Sequence, residues 1–562
     1  MMRELDRSNS LTWLQAFRRF RTWITARPNL LRFGAPIVLF GVLLTPSIWM
    51  LSMIPPLWRD VDCYAQITLP PGPGTILLYS PLYCFAARIP LYLGYAIDCS
   101  RAGGELPTLH FFVHPILSDS GVLTLLISQH IGLCFSTYYL IILTSRLFWV
   151  RLILAIAWAL NPLFYTFAHS VGSEALSVIL LLVLGATGLS IVQNSRRVPA
   201  KKWLFFGILL WLYILTRHIN AMLTALMPAA FILCGSYQLM VVPFTRPRAL
   251  RRWRWVKTKQ TIQKATLAVA IGLSCIVLAN ASVRILCHVA RIPYYSTMGV
   301  TFVYRLKFLA ALTPDKRSQL LDEVTKHAAS ADVKKVISLL RGSFPSGISN
   351  WNARDFNEKA RASLFTPHTD PYDENYAVLL NRTALAFLCS PQDIFLSAVA
   401  TDFKRSQQIT IPDVVAFLFV ATRFYFSHPG AMPQCASLVT FRDKNADHIF
   451  AIFKSHSYFR HPKDLDYRDL LFLWLISLAL FVVVGKMRMQ ETAALASYAT
   501  GLTLVGLLMM LANCVLVVFQ PRYTLPMWEL MIVSTSILSA KTVEYVASRT
   551  EAPQHFARTG RC

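Results

Sequence analysis

Ten runs of about twenty mostly apolar residues recur along this 562-residue chain. A helix needs about 20 such residues to cross the hydrocarbon core of a bilayer. Because no water reaches that core, each run must satisfy its own backbone hydrogen bonds as a helix. We therefore predict an all-α polytopic membrane protein with about ten transmembrane helices. The predicted spans are 34–54, 121–143, 152–168, 173–193, 203–217, 218–241, 265–286, 468–485, 492–519 and 524–545.

The composition fits this class, because 55% of the residues are hydrophobic and only 15% are charged, against about 25% charged in soluble proteins. The formal net charge of +26 would also suit a nucleic-acid-binding protein. However, the basic residues gather in short loops between spans, as they do in cytoplasmic loops of membrane proteins. We therefore expect the basic stretch 246–264, with its Trp253 and Trp255, to face anionic lipid rather than nucleic acid.

The same loops predict the orientation of the chain. If both termini are cytoplasmic, the basic loops 144–151, 194–202, 243–264 and 486–491 all lie inside. Residues 55–120 and the α-rich segment 287–467 then lie on the extracytoplasmic side of the membrane. The resulting plan is a basic cytoplasmic N-terminus (1–33), a first membrane module with its outer loop (34–286), a large outer segment (287–467), three last spans (468–545) and a cytoplasmic tail (546–562). Within the outer segment, helices are predicted over 314–327 and 332–340, the second with Asp332 as its cap.

Two aspartates stand just beyond the first span, in the segment Trp58-Arg59-Asp60-Val61-Asp62-Cys63-Tyr64. Ionised carboxylates avoid hydrocarbon, so this pair must face water or a wet cavity. Residues two apart diverge on a helix but share a face in extended chain, and the preceding Pro55-Pro56 favours extended chain. The pair is therefore a candidate acid/base centre, and a solvated loop is the plainer alternative.

Four further motifs follow in chain order: Tyr79-Ser80-Pro81-Leu82-Tyr83, Leu160-Asn161-Pro162-Leu163 with the stretch 170–176, Leu215-Thr216-Arg217-His218, and Gln520-Pro521-Arg522-Tyr523-Thr524-Leu525-Pro526. Together with the acidic segment, they resemble motifs of the GT-C superfamily of polyprenyl-phosphate-dependent glycosyltransferases. The resemblance is nearest to the branch of protein O-mannosyltransferases, aminoarabinose transferases and their bacterial relatives that act on lipopolysaccharide. One departure is His218, which stands where the family usually has proline. The segment 287–467 has no such match.

The resemblance implies an inverting sugar transfer on the outer face of a bacterial inner membrane. The donor would be a polyprenyl-phosphate sugar, and the acceptor a hydroxyl or amine of an envelope glycan, lipid or protein. By the resemblance, Asp60 acts as the base and Asp62 positions the acceptor or contacts a divalent metal, although the two roles are interchangeable. No metal is expected to be obligatory, and Tyr64 is a further candidate site residue.

The donor phosphate would be bound by Arg59, Arg217, Arg522 and Tyr523. An arginine forks two hydrogen bonds to phosphate and stabilises charge on a leaving group. The alternatives are that Arg217 and Arg522 merely reach the membrane surface, that Arg59 is a counter-ion of the two aspartates, and that Tyr523 belongs to the interfacial aromatic belt. Glu174 is a further candidate, although an acid in the first turn after a cap serine also fits a helix dipole.

Three other functions stay open from the sequence. A transporter or flippase for lipid-linked sugars would place charged residues within spans and break helices at matching positions of two repeats. An O-antigen ligase or polymerase would rest on arginine and histidine of the outer loops. In a non-catalytic scaffold, both aspartates would be replaceable without loss.

Overall fold

The computed structural model describes residues 34–559, except residues 55, 59–65, 80, 195–197, 242–247, 329, 345–352, 366–372, 391–392, 419–465, 486–488 and 518–519. Within these limits nearly all of the chain is helical. In the described part of the chain, eight helices are long and apolar enough to cross a membrane, or up to ten if each of two bent pairs forms one span. The prediction of an all-α, multi-pass membrane protein is therefore confirmed.

The helices have the following bounds. In the first membrane module they are α1 Ala35–Met53, α2 Pro81–Ala86, α3 Arg88–Arg101, α4 Asp119–Thr144, α5 Phe148–Ala159, α6 Pro162–Ala168, α7 Ser173–Gln193, α8 Ala200–Thr216, α9 Leu226–Val241 and α10 Arg248–Val289. In the rest of the chain they are α11 Met298–Arg305, α12 Pro314–His327, α13 Ala331–Gly342, α14 Ala353–Leu364, α15 Glu374–Cys389, α16 Asp393–Ser406, α17 411–418, α18 Tyr467–Val484, α19 Met489–Leu516 and α20 Leu525–Thr559.

Two of the predicted spans differ from a single straight helix of full membrane length. The span 152–168 divides into α5 and α6, whose axes differ by 63°. The break follows from local chemistry, because Pro162 lacks a backbone N–H and the Asn161 side chain caps α6 by accepting from Leu163 N at 3.0 Å. The span 203–217 corresponds to α8, whose 17 residues reach only about 26 Å.

The centre of the bundle is α7. The most apolar stretch of α7 is 78% buried. The corresponding stretches of α1 and α18 are only 22% and 17% buried, because these two helices lie on the outside of the bundle. A helix that is apolar on every side is stable either in lipid or enclosed by other helices, and α7 is the enclosed kind. Any polar side chain at the start of α7 is therefore held among neighbouring helices.

The exit of α1 is tied to the chain that precedes α7. Leu57 pairs with Ser170 and Trp58 with Val171 in a short parallel pair of strands, β1 (Leu57–Trp58) and β2 (Ser170–Val171). His169 adds a contact of 2.9 Å between its Nε2 and the carbonyl of Ile54. The residues leading into the acidic segment therefore lie beside the start of α7.

The outer segment contains both predicted helices, now seen as α12 and α13. Asp332 does not cap the second one, because Ser330 precedes the helix in extended backbone and accepts from Val333 N at 3.3 Å. The pair α15 and α16 bends by 95°, which excludes one straight crossing. Most of the predicted tail 546–562 continues α20, which is helical to Thr559.

Candidate functional site

Two of the predicted site residues, Glu174 and Arg217, form an ion pair. Arg217 Nη1 lies 3.5 Å from Glu174 Oε1, and the side chains are 18% and 2% exposed. Glu174 is the second residue of α7, and Arg217 lies in extended backbone directly after α8. Ser173 does not cap α7, since the cap position is Gly172. Glu174 therefore pairs with Arg217 in addition to standing in the first turn of α7.

Tyr83, from the first of the four short motifs, fixes the chain in front of Glu174. Its hydroxyl accepts from Gly172 N at 2.9 Å and donates to Gln129 Oε1 at 3.2 Å. The Gln129 amide donates in turn to the carbonyls of Ala168 and Ser170, at 2.9 and 3.1 Å. These bonds orient the start of α7 and with it the Glu174 carboxylate.

His218, which replaces the proline usual in the GT-C motif, fixes the chain next to Arg217. Its Nε2 donates to the carbonyl of Leu77 at 2.8 Å. Thr297, at the start of the outer segment, donates to the same carbonyl at 3.1 Å. The outer loop, the turn carrying Arg217 and the outer segment therefore meet at one point.

A buried polar cluster continues from this ion pair into the bundle. The hydroxyl of Tyr213, one helical turn before Arg217, lies near both Arg217 and Glu529. Asn220 Nδ2 donates to Ser177 Oγ at 3.1 Å and to Thr216 Oγ1 at 2.8 Å. The sequence analysis did not identify Tyr213, Ser177, Asn220 or Glu529 as members of this cluster, because no motif or spacing marks them.

Glu529 is the most unusual member of the cluster. Its side chain is 2% exposed, and its Oε1 has no hydrogen-bond partner among the described residues. It lies in α20, within a stretch apolar enough to cross a membrane. Ionisable groups at such positions are costly and usually functional. In the sequence, this residue could have been noticed because Glu529 is the single acidic residue between Leu525 and Ala540.

Arg522 and Tyr523 lie in the short 3₁₀ helix Pro521–Thr524 that leads into α20. Arg522 is 5% exposed, and its Nη2 donates to the Tyr523 hydroxyl at 3.1 Å. Glu529 follows seven residues later, in α20, and lies near Tyr213. Two of the predicted phosphate-binding residues, Arg522 and Tyr523, therefore contact each other just before the span that carries Glu529.

Arg59, Asp60, Asp62 and Tyr64 lie outside the described residues. The last described residue before them is Trp58, whose partner Val171 stands three residues before Glu174.

Among the described residues, the cluster combines the carboxylates of Glu174 and Glu529 with the Arg217 guanidinium and the Tyr213 hydroxyl in a largely buried setting. A guanidinium such as that of Arg217 can bind an anion and stabilise charge as a bond breaks. No group of three or more His, Cys, Asp or Glu side chains suited to a metal ion occurs among the described residues. Compared with known proteins, the chain matches no family model, no curated protein and no solved structure.

Proposed function

We propose that this protein is a GT-C-type membrane glycosyltransferase that moves a sugar from a polyprenyl-phosphate donor to an envelope glycan, lipid or protein, with inversion. The observation that carries the proposal is the buried pair of Glu174 and Arg217. The strand pair sets the approach to the acidic segment beside this pair. The chain that leads to Asp60 and Asp62 therefore starts from the same end of the bundle as Arg217, the proposed phosphate-binding cation.

In the proposed reaction, a carboxylate of Asp60 or Asp62 removes the proton from the acceptor hydroxyl or amine. The acceptor atom attacks the anomeric carbon while the bond from that carbon to the phosphate oxygen breaks. Two close carboxylates raise the pKa of one of them, which suits a general base. Polyprenyl phosphate leaves with the bonding electrons.

Arg217 and Arg522 stabilise the negative charge that develops on the leaving phosphate. Arg217 is held by Glu174, and Arg522 is held against Tyr523. Groups fixed in advance stabilise a transition state without the cost of rearranging during the reaction. Glu174 is therefore a positioning residue in this scheme.

The first test substitutes Asp60→Asn and Asp62→Asn separately, at matched expression, and follows sugar addition to the envelope by mass spectrometry. Loss of a general base should lower transfer by about 100-fold or more. Glu105→Gln is the matched control, because Glu105 is an exposed acid of the same predicted outer loop. Full transfer by both aspartate variants would disprove the assigned chemistry.

A lipid-linked sugar transporter is the second candidate, and two observations favour it. Glu529 is buried within an apolar span, and the pair α5–α6 is a broken helix. Both features are common around transport pathways. Reconstitution in vesicles with a lipid-linked sugar separates the two functions, since a transporter moves the intact donor across the bilayer and a transferase cleaves it.

A further inference from the structure

Arg305, the last residue of α11, lies outside the cluster described above and is almost fully buried. Its side chain is 2% exposed, and its guanidinium lies 5.3 Å from the ring centroid of Phe308 and 5.8 Å from that of Phe395. A buried charge is costly unless its hydrogen-bonding groups find partners. A purely structural arginine at this position is therefore expected to have all of its nitrogens paired.

Among the described residues, only one nitrogen of this guanidinium has a hydrogen-bond partner. Nη1 binds Asp402 Oδ2 at 2.5 Å, whereas Nε and Nη2 are buried without a partner in the described part of the chain. The N–H groups of Nε and Nη2 point the same way from one edge of the planar group. This is the edge that fits two oxygens of a phosphate or a carboxylate.

Arg317 shows how the chain treats an arginine that has only a structural role. It also packs on a ring, with 4.9 Å to the centroid of Phe344. However, its Nε, Nη1 and Nη2 donate to the carbonyls of Leu309, Phe344 and Leu312, at 3.0, 3.2 and 2.9 Å. The open edge of Arg305 is therefore not a general feature of the arginines in this segment.

The surroundings of Arg305 connect it to the candidate site. Cys514 of α19 lies near both Arg305 and Asp402. The neighbouring Asn513 donates to the carbonyl of Tyr523 at 3.4 Å. The Asp402 side chain is 20% exposed, whereas the Nε and Nη2 atoms of Arg305 are buried.

We propose that the Nε–Nη2 edge of Arg305 binds a phosphate or carboxylate group, carried either by the acceptor or by an anionic lipid headgroup. If the group belongs to the acceptor, the proposal rests on the proposed transferase function and defines the acceptor as anionic. The Arg305 site then holds the acceptor beside the turn that carries Arg522 and Tyr523, where the donor phosphate is proposed to bind.

The test follows thermal unfolding of the full chain in phosphatidylcholine nanodiscs while inorganic phosphate replaces chloride at constant ionic strength. A ligand that binds only the folded state raises the unfolding temperature. Wild type and Arg317→Lys should show this rise, and Arg305→Lys should bind phosphate at least tenfold more weakly. The rise that depends on Arg305 should persist in Arg522→Lys, which separates it from phosphate bound at the donor site.

Two further arms identify the source of the anion. In phosphatidylglycerol nanodiscs, loss of the Arg305-dependent phosphate response would mean that a lipid headgroup already occupies the edge. If the response persists there but disappears on adding acidic glycolipid extracted from the host envelope, the acceptor carries the group. Neither arm requires sugar transfer, so failure of the transferase proposal is detected separately.

Equal phosphate responses in wild type and in Arg305→Lys would overturn the site. The site would also be overturned if wild type responded neither to phosphate nor to acetate, which serves as the carboxylate probe. Either result means that the edge holds water only. If Arg305→Lys does not fold, the double variant Arg305→Gln with Asp402→Asn replaces the ion pair by a neutral hydrogen-bonded pair. That variant should likewise lose the phosphate response.

Discussion

At the scale of single residues, the Glu174–Arg217 pair brings two opposite charges together inside a largely apolar bundle. Glu174 and Arg217 lie far apart in sequence, and helix packing brings their side chains within 3.5 Å. A buried charge left without its partner is destabilising, typically by about 3–5 kcal/mol. The ion pair therefore supports the fold at the place where the proposed chemistry occurs.

A double-mutant cycle tests the coupling of this pair. We expect Glu174→Gln and Arg217→Gln each to lower the free energy of unfolding, and the double variant to lose less than the sum. The coupling should be about 1–3 kcal/mol, the range for contacting charged residues. Unfolding of the purified protein in detergent provides the measurement, and strictly additive losses would show that the pair is not formed.

A pH-dependent contribution is expected from Asp98 of α3. Burial by itself raises the pKa of Asp98, but hydrogen bonds from Ser120 and Ser118, with Arg101 nearby, outweigh burial and hold the pKa below its usual 3.8. Because the pKa is lower in the folded state, the stabilisation is present above the unfolded value and disappears as the pH falls through the folded one.

The corresponding variant is Asp98→Asn. Its unfolding temperature should be lower than that of wild type by a constant amount between about pH 7 and pH 5. The difference should shrink below about pH 4, where the wild-type carboxylate becomes protonated. A difference that stays constant down to about pH 2 would show that the Asp98 charge does not stabilise this contact.

At the scale of elements, the close contact of α3 with α4 holds the outer loop against the membrane helices. Ser120, the second residue of α4, donates to Asp98 Oδ1 at 2.5 Å. A Cβ atom added to Gly94 would lie 2.2 Å from the carbonyl oxygen of Ser120 and 2.5 Å from Gly121 Cα. These atoms belong to the backbone, so no side-chain rotation relieves the overlap.

We therefore expect Gly94→Ala to force α3 away from α4 and to cost about 1–3 kcal/mol, as overpacking does. Gly41→Ala is the matched control, because a Cβ there would meet no atom within 4 Å. In a helix that control substitution should be neutral or stabilising. Equal unfolding temperatures for the two variants would show that α3 is not packed in this way.

At the scale of the whole molecule, the basic loops predict which side of the membrane each segment occupies. The Glu174–Arg217 pair, Thr297 and Leu77 belong to one end of the bundle, which the charge pattern assigns to the outside. The proposed chemistry requires this end to face the compartment that holds the donor sugar and the acceptor.

Cysteine labelling in intact cells tests this orientation. Cys389 is exposed at the end of α15, in the predicted outer segment. A membrane-impermeant maleimide should modify it in intact cells, and peptide mass spectrometry identifies the labelled residue. A cysteine introduced by Lys201→Cys, at the exposed start of α8, should react only after permeabilisation. The opposite pattern would reverse the predicted topology.

The sequence by itself determined the membrane helices and some of their ends. A run of about twenty apolar residues has few stable alternatives to a spanning helix. Helix α12 likewise begins at Pro314, as predicted, because proline is favoured at a first helical position. Such features depend on residues that are close together along the chain.

Only the tertiary structure decided which polar groups meet. Glu529 and Tyr213 are distant in sequence, and Glu174 would have fitted a helix dipole equally well from its sequence position. Ser330, and not the predicted Asp332, caps α13. Among the described residues, Nε and Nη2 of Arg305 have no hydrogen-bond partner, whereas Nη1 binds Asp402. The reason is physical, since most of these contacts depend on how whole helices pack, which no local pattern of residues specifies.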